Sequence, residues 1–457
     1  MTMVNTSKVR TFLILWLFVL SAVAYLDRTN ISVAGVQMAR EFGIDRIHLG
    51  WVFSALLLGY AAFQVPAGWL AVRYGPRKML GIGLVWWSVF AVGTTLVSPS
   101  LGSVLLQLVV VRFVLGLGEA LMYPSANQFI ATWIPQRDRA KANGWLFAGV
   151  GAGAGLTPPL VTVIMLNFGW RASFWFSAAV GLLAAAVWYL AARDQPEQHP
   201  SISPSELAYI RGDMAPLSGS RHAPIPWRRI LSDKDVWMLS ASYFAFGYIA
   251  FIFLSWFFIY LADAHGLKLG KNAVYSTLPF ISMTVCCLGG GIISDWSSRV
   301  HGLYRGRSIF ACGALLLSAV FLVLGSRADG ALAATIILAG GAGSLYLSQA
   351  CYWAVSADFA GQHAGIVSGV MNMSGQIAGA ITASLTPWIA ARFGWPAAFY
   401  VAAGFAVFAA LAWLLVNPDR VLNSEQGRIL SHPEKPRVLG QGGEGSASFH
   451  RRQSLLL

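Results

Sequence analysis

The chain has 457 residues, of which 56% are apolar and 11% are charged, and its formal net charge is +13. A mean hydropathy of +0.60 excludes an ordinary soluble globular protein and is typical of a chain that crosses a membrane many times. The basic excess does not require a nucleic-acid partner, because a basic rim facing anionic lipid headgroups accounts for it.

Runs of about 20 largely apolar residues predict transmembrane helices, since a helix of that length spans the hydrocarbon core of a bilayer. The chain contains twelve such runs. In chain order they are 11–34, 48–71, 79–97, 101–124, 143–166, 170–192, 236–262, 273–295, 307–326, 331–357, 364–390 and 395–416.

The first span has a second interpretation. Lys8 and Arg10 precede an apolar stretch that contains Ala22-Val23-Ala24, which is the pattern of a cleaved secretory signal. We favour a retained span, because the apolar stretch resumes beyond Arg28 and because the internal repeat described below needs six spans in this half.

Four charged residues lie in the interiors of the predicted spans of the first half. Asp27 and Arg28 are adjacent in span one, and Arg112 and Glu119 lie in span four. An ionised side chain at bilayer depth costs about 3 kcal/mol or more, so such residues normally face a protein cavity and have a function there. Seven residues separate the second pair, so its side chains project from one helix face about 10 Å apart. These charges predict a protein that moves or senses a charged species within the membrane.

Other reactive side chains lie elsewhere. All eight histidines fall in loops, tails or span ends, and the four cysteines show neither metal-ligand spacing nor a disulfide pattern. Carboxylates are therefore the titratable groups predicted at membrane depth, and no cofactor or metal is expected. The sequence also lacks a recognisable combination of nucleophile, base and orienting group, so we do not expect an enzyme.

The sequence repeats itself at an offset near 225 residues. Residues 167–174 (NFGWRASF), before span six, match residues 392–399 (RFGWPAAF), before span twelve. Gly68 after span two is likewise matched by Gly291 after span eight. The repeat predicts an all-α membrane protein of twelve transmembrane helices in two pseudo-symmetric six-helix bundles, the plan of a transporter whose halves rock about a midplane site. The predicted domains are 1–192, a cytoplasmic linker 193–235, 236–418 and a disordered tail 419–457.

The basic residues predict the orientation of the chain. Most lysines and arginines outside the spans fall on the side of the two termini, including those of segments 73–78, 137–141 and 299–307. The positive-inside rule then places both termini in the cytoplasm, and we expect a multi-pass protein of the inner (cytoplasmic) membrane. In the linker, Ser203-Pro204-Ser205-Glu206 has the pattern of a capping box and predicts a short surface helix.

Three motifs together resemble the major facilitator superfamily, and more narrowly its anion:cation symporters. They are residues 25–30 (YLDRTN) in span one, residues 68–78 (GWLAVRYGPRK) after span two, and Arg112 to Glu119 in span four. The resemblance covers about residues 10–418. It implies the major facilitator fold and, for the bacterial members, proton-coupled uptake of sugar acids and other organic anions.

The loop signature after span two implies a gate on the cytoplasmic side. The residues it assigns to that gate are Gly68, Arg73, Gly75, Arg77 and, in the second half, Asp295. The chain departs from the family at Val72, where the signature usually has an acid, whereas Asp295 keeps the equivalent acid. We therefore expect the state that is closed on this side to lose part of its stabilisation.

Arg28 is the predicted ligand of a substrate carboxylate, because a guanidinium group is a permanently charged, bidentate partner. The alternative is a structural ion pair between Arg28 and Asp27. Adjacent helix positions point about 100° apart, so one arginine does not easily serve both purposes.

Asp27 and Glu119 are the predicted proton-coupling sites, and the resemblance implies the same assignment. A carboxyl group at this depth can take up a proton when a neighbouring arginine turns to a substrate. Arg112 is expected to hold the deprotonated acid or the anion in one state. The alternative for Arg112 is a fixed tie between helices.

Neutral side chains are expected to complete the cavity. Tyr25 lies three residues before Arg28 and shares its helix face. With Tyr60, Trp353 and Asn372 it is predicted to contact substrate, partly from the resemblance, and helix packing is the alternative for all four. Because spans seven to twelve carry no charged residue in their interiors, we expect coupling in the first half and hydrogen bonds from the second.

We predict proton-coupled symport, by alternating access, of an organic carboxylate such as a hexonate, hexarate or hexuronate. The alternatives are an organophosphate or anion antiporter, a transporter of aromatic or short dicarboxylic acids, and a membrane sensor. The carboxylates Asp27 and Glu119 count against the antiporter. The expected partners are the organic anion, protons and membrane lipid, without nucleic acid, and the protein is expected to be a monomer.

Overall fold

Seventeen α-helices make up most of the chain that the computed structural model describes, which is residues 9–44, 46–212, 227–267 and 269–420. These ranges contain no strand. The helices are α1 (Val9–Phe42), α2 (Arg46–Tyr74), α3 (Pro76–Thr95), α4 (Val104–Glu119), α5 (Met122–Trp133), α6 (Arg139–Phe168), α7 (Trp170–Ala191), α8 (Pro204–Arg211), α9 (Trp227–Leu231), α10 (Lys234–Phe251), α11 (Phe257–His265), α12 (Leu269–His301), α13 (Phe310–Ser326), α14 (Ala331–Leu347), α15 (Gln349–Ala360), α16 (Ala364–Phe393) and α17 (Trp395–Leu414).

Eleven helical stretches in the described ranges are long and apolar enough to cross a membrane. The stretch Ala331–Phe393 has 63 residues, which exceeds the length needed for two crossings. It contains α14, α15 and α16 and covers predicted spans ten and eleven. The eleven stretches thus account for all twelve predicted spans, and the predicted all-helical membrane fold is confirmed.

Predicted spans four and ten are each broken into two helices, a feature that the sequence analysis missed. Span four is interrupted between Glu119 and Met122, and span ten at Ser348. At each break the backbone tightens into a three-residue turn, with Leu121 N–H donating to Gly118 O and Ser348 N–H donating to Leu345 O, both at 3.1 Å. Such breaks change the direction in which the polar groups of a membrane helix point. They also leave backbone N–H and C=O groups free to bind a substrate or an ion.

The predicted helix in the linker is confirmed as α8. The Ser203 hydroxyl accepts a hydrogen bond from Glu206 N–H at 3.2 Å, as an N-cap does. The Glu206 carboxylate accepts Arg10 N–H at 3.1 Å, so α8 is held against the start of α1. The predicted tail lies outside the described residues from position 421 onward.

The start and the end of the described chain lie at the same end of the helices. Arg10 contacts Asp138 at 3.3 Å, and Arg420 contacts Asp235 at 3.0 Å. The turns after α2, α5 and α12 lie here too. We call this the basic end and the opposite one the far end. That the basic end is cytoplasmic stays a prediction, as does the division into two domains, and "first half" and "second half" denote residues 9–192 and 234–420.

The two halves meet mainly through two helix pairs, α6 with α12 and α2 with α16, and α6 also contacts α15 while α5 contacts α16. Glycines allow the backbones to approach closely at the basic end of both pairs. A Cβ added at Gly68 would lie 2.1 Å from Gly365 O, and one added at Gly291 would lie 2.5 Å from Ala140 O. On the far side of these contacts, an open apolar cleft separates α2 from α16, lined by Leu57, Leu58, Ala61, Ile377, Ala380, Ile381, Leu385 and Trp388.

Candidate functional site

Arg28 and Glu119 are brought together at the centre of the first half. Arg28 Nε lies 3.3 Å from Glu119 Oε1, and Arg28 Nη2 lies 3.0 Å from Glu119 Oε2. The Glu119 side chain is 2% exposed and that of Arg28 is 14% exposed. The partner of Arg28 is therefore Glu119 and not Asp27, the alternative that the sequence left open. A two-point pair of this kind fixes the direction in which the guanidinium points.

Two tyrosines cover the Arg28 guanidinium. Its central carbon lies 5.0 Å from the centre of the Tyr25 ring and 4.7 Å from the centre of the Tyr60 ring. Aromatic faces stabilise a cation at these distances. The Asn372 side-chain NH₂ donates to the Tyr60 hydroxyl at 3.2 Å and to Gln64 Oε1 at 3.0 Å. Asn372 belongs to the second half, so this hydrogen-bond chain connects the halves beside Arg28.

Asp27 and Arg112 form a second charged region behind the first. Asp27 is 3% exposed and Arg112 is fully buried. Neither the Asp27 carboxylate nor the Arg112 guanidinium has a hydrogen-bond partner among the described residues. Asp27 and Arg112 are nonetheless electrostatic neighbours, and the Arg112 guanidinium lies 5.4 Å from the Phe174 ring centre.

The sequence analysis expected Arg112 and Glu119 to share a helix face. The structure places them in different surroundings, because Glu119 is the last residue of α4 and its carboxylate turns to Arg28. Glu119 is still an electrostatic neighbour of Arg112. The centre of the first half therefore contains two acids and two cations, with one pair in contact and the other apart.

A small cavity lies between the halves next to Arg28. Predicted residues Tyr25 and Asn372 line it. Gln349 and Gln376 line it too, and the side-chain oxygen of each is buried without a hydrogen-bond partner among the described residues. Most of the remaining wall is aromatic, namely Tyr123, Phe147, Tyr243, Phe246, Phe251 and Tyr346. The cavity thus offers flat apolar surface together with unused hydrogen-bond acceptors.

Tyr60 and Trp353 lie behind this wall and support it. Trp353 is fully buried, and its indole N–H donates to the Tyr243 hydroxyl at 3.2 Å. The Gln349 side-chain NH₂ donates to the same hydroxyl at 3.1 Å. The Trp353 ring packs on Phe147 at 4.8 Å between centres. Tyr243 was not singled out from the sequence, where the only signal was its place on one face of span seven with Phe246.

The two helix breaks flank the cavity. Glu119 ends α4, and Gln349 begins α15. Each half therefore presents a polar side chain beside its break, a carboxylate before the break in the first half and an amide after the break in the second. The sequence has charged residues in the span interiors of the first half and none in those of the second. The same difference is found beside the breaks.

The predicted gate residues separate into two groups. Gly68 and Asp295 lie where the halves touch, whereas Gly75 and Arg77 hold the first half together. Gly75 has φ +92°, and Arg77 N–H donates to the Asp194 carboxylate at 3.0 Å. Arg77 Nε also donates to Tyr189 O at 3.1 Å, so these contacts fasten α3 to the end of α7. Arg73 is exposed.

Buried charges at the basic end of the interface were missed. Arg139 Nη1 lies 2.7 Å from Asp358 Oδ1, and Arg307 lies 3.4 Å from Asp358 and 3.2 Å from Asp295. Arg307 also donates to Gln136 O at 2.9 Å. Asp358 is one residue beyond predicted span ten, and Arg307 begins span nine, so these positions were read as loop charges. They form a buried network that joins the halves.

A family model described as Major Facilitator Superfamily matches residues 17–383. The chain belongs to this superfamily. It is therefore a membrane transporter and not an enzyme. The predicted membership and fold are confirmed by this match.

Members of the superfamily with curated names resemble the chain over most of their length. It is 32% identical over 406 residues to a probable sulfoacetate transporter, SauU, of Cupriavidus necator, covering 88% of this chain and 92% of that protein. It is 30% identical over 411 residues to the hexuronate transporter of Bacillus subtilis, covering 89% and 94%. A probable L-galactonate transporter of Escherichia coli is 26% identical over 388 residues, covering 84% and 83%.

Solved structures of the superfamily share the fold. The transporter FucP in its outward conformation has a TM-score of 0.66 at 14% identity, covering 90% of this chain and 99% of that one. The proton:xylose symporter XylE bound to 6-bromo-6-deoxy-D-glucose has a TM-score of 0.66 at 17% identity, covering 90% and 98%.

Proposed function

We propose that this protein is a proton-coupled symporter of an organic carboxylate that works by alternating access. The observation that carries the proposal is the Arg28–Glu119 ion pair, with contacts of 3.0 and 3.3 Å, beside a cavity between the halves. The substrate carboxylate then competes with Glu119 for Arg28, and the proton competes with Arg28 for Glu119. The curated relatives, whose names specify hexuronate, L-galactonate and sulfoacetate, support an anionic substrate.

The carboxylate of the substrate binds the Arg28 guanidinium in place of Glu119. Both anions need the same bidentate geometry, so the arriving anion releases Glu119. Tyr25 and Tyr60 remain over the guanidinium and keep it oriented. Asn372, which hydrogen-bonds Tyr60, contributes from the second half.

The proton follows from the same exchange. A released Glu119 carboxylate is a buried anion without its cation, and protonation removes that cost. Asp27 and Arg112 act as the second coupling pair, because both are buried charged neighbours without a hydrogen-bond partner among the described residues. Protonation of Asp27 leaves Arg112 free to hold Glu119 when the substrate departs.

A polyhydroxylated acid, such as a hexonate, hexarate or hexuronate, matches the chemistry of the cavity lining best. The free side-chain oxygens of Gln349 and Gln376 accept hydrogen bonds, and sugar-acid hydroxyls supply the donors. Aromatic walls suit the C–H faces of a sugar. A short sulfonate such as sulfoacetate offers Arg28 an anion but has few donors for the two glutamines.

We propose that the protein works as a monomer in a bacterial inner membrane with its basic end in the cytoplasm. The lysine and arginine distribution supports this orientation. The closed contacts at the basic end and the open cleft between α2 and α16 beyond them then correspond to an outward-facing state.

Reconstitution into vesicles tests the proposal. We expect internal acidification when a hexuronate, hexonate or hexarate is added outside in the absence of any ion gradient. Sulfoacetate, an aromatic acid and a short dicarboxylate form the comparison panel. Exchange of phosphate esters without proton movement would instead indicate an antiporter, and the absence of flux for every anion in the panel would refute organic-anion transport.

A further inference from the structure

The two helix crossings at the basic end are equivalent by the internal repeat. Helices α6 and α16 both have 30 residues and begin at Arg139 and Ala364. Ala140 of α6 therefore corresponds to Gly365 of α16. Each of these two residues has its carbonyl oxygen against a glycine of the opposite half, Gly291 and Gly68 respectively.

The backbone N–H groups at the starts of α6 and α16 have chemically different acceptors. The Asp295 carboxylate, one turn after Gly291, accepts Ala140 N–H at 3.1 Å and Lys141 N–H at 2.6 Å. The position one turn after Gly68 is Val72, which packs on an apolar cluster that contains Phe359 and Ile366. A valine cannot accept a hydrogen bond, so the start of α16 requires another acceptor.

Gln128 supplies that acceptor from a different helix. Its side-chain oxygen, on α5, accepts Gly365 N–H at 2.8 Å. Gln128 is 7% exposed, and its Cβ lies 3.4 Å from the position that a Cβ on Gly365 would occupy. The contact crosses from the first half to the second. Nearby, Asn127 Nδ2 donates to Ser356 Oγ at 2.9 Å across the same interface.

We infer that Gln128 is a gating residue that takes over at α16 the role that Asp295 has at α6. The two sides of the closed basic end are then unequal. The α6–α12 side is held by a carboxylate within the buried network of Arg139, Arg307 and Asp358. At the start of α16 the Gly365 N–H is held by a neutral amide, which does not pay the desolvation cost of a buried charge. Having valine in place of an acid at position 72 therefore destabilises the closed basic end less than the sequence alone suggests.

Two reporter cysteines, each in a background without the four native cysteines, test the inference in the full-length protein in vesicles. Ala131→Cys reports opening of the basic end, because Ala131 packs against Ala357 and Ala364 of the other half. Leu254→Cys reports access to the cavity, which Leu254 lines. Labelling of both sites with a thiol reagent is compared among variants in the absence of substrate.

Gln128→Met removes the acceptor at similar volume, and Gln128→Glu keeps an acceptor oxygen in either protonation state. Gln107→Met is the matched control, since the Gln107 amide bonds Ser98 backbone groups within the first half. We expect Gln128→Met to raise Ala131→Cys labelling about fivefold and to lower Leu254→Cys labelling, the size expected for one lost buried hydrogen bond. Gln128→Glu and Gln107→Met should leave both reporters near their starting values.

Three outcomes overturn the inference. They are unchanged labelling in Gln128→Met, an equal effect of Gln128→Glu, and a rise at both reporters, which indicates loosened structure rather than a shifted gate. The readout needs no transport, so it stands apart from the proposed substrate and proton coupling. A protein that moves no organic anion could still show the gate, and the reverse also holds.

Discussion

Arg28 and Glu119 form a two-point ion pair that joins α1 to the broken end of α4, with Nη2 to Oε2 at 3.0 Å. The break in span four turns the Glu119 carboxylate toward Arg28 and leaves Arg112, seven positions earlier, without a hydrogen bond among the described residues. Of the four charged residues in the span interiors of the first half, Arg28 and Glu119 are therefore paired with each other in this state. The other two, Asp27 and Arg112, remain available.

Arg28→Lys should weaken substrate binding about tenfold or more, because an ammonium group keeps the charge and loses the bidentate fork. Binding of the best substrate from the acid panel is measured by isothermal calorimetry in detergent. Arg171→Lys serves as the control, since Arg171 pairs with Glu41 at an exposed position. An affinity equal to that of the wild type would remove Arg28 from the binding site.

Glu119→Gln should retain substrate exchange and lose accumulation driven by a pH gradient. The amide imitates the protonated acid and cannot release a proton, so binding and movement of the helices continue without coupling. Counterflow and concentrative uptake are measured on the same vesicles, with Glu41→Gln as the control. Concentrative uptake at the normal level would show that coupling does not depend on Glu119.

Asp27→Asn and Arg112→Gln should each destabilise the protein, and the double variant should lose less than the sum of the two. Removing one member leaves a buried charge uncompensated, a cost of about 3 kcal/mol, whereas removing both avoids it. Thermal unfolding in detergent of the wild type, the two single variants and the double variant gives the coupling free energy between Asp27 and Arg112. Strict additivity would mean that these two groups do not compensate each other.

Gly68→Ala should open the basic end, because the added Cβ would lie 2.1 Å from Gly365 O. Overpacking of 1–3 kcal/mol would shift the labelling of Ala131→Cys by roughly tenfold. Gly50→Ala on the same helix is the matched control, since a Cβ there meets nothing within 4 Å. Equal labelling in the two alanine variants would argue against a close crossing at Gly68.

The Glu41–Arg171 pair at the far end should contribute to stability in a pH-dependent way. The hydrogen bonds from Arg171 hold the pKa of Glu41 below its usual value. A carboxyl group with a lowered folded-state pKa stabilises the protein above its unfolded pKa, about 4.3, and loses this contribution as the pH falls further. The difference in Tm between wild type and Glu41→Gln should therefore be small and positive near neutral pH and vanish in acid. A constant difference would show that the charge is not responsible.

The sequence predicted helices and spans well because hydrophobic length is a local property. Eleven spanning stretches cover the twelve predicted runs, and the Ser203 cap begins α8 as expected. Breaks at Ala120 and Ser348 were missed, since short turns inside apolar runs leave the hydropathy unchanged. The basic-end charges Asp358 and Arg307 were read as loop residues for a related reason, as they lie at the very ends of predicted spans.

For the site, the sequence determined which apolar runs contain charged residues and that segments of the chain repeat at an offset near 225 residues. These follow from the cost of burying ions in lipid and from the spacing of apolar runs, both readable along one chain. Only the tertiary structure decided that Arg28 pairs with Glu119 and not with Asp27. It also decided that Gln128 accepts the Gly365 N–H, which the Val72 side chain cannot do. Partners such as Gln128 and Gly365 are 237 residues apart, and distance along the chain says nothing about which polar groups meet when helices of two halves pack together.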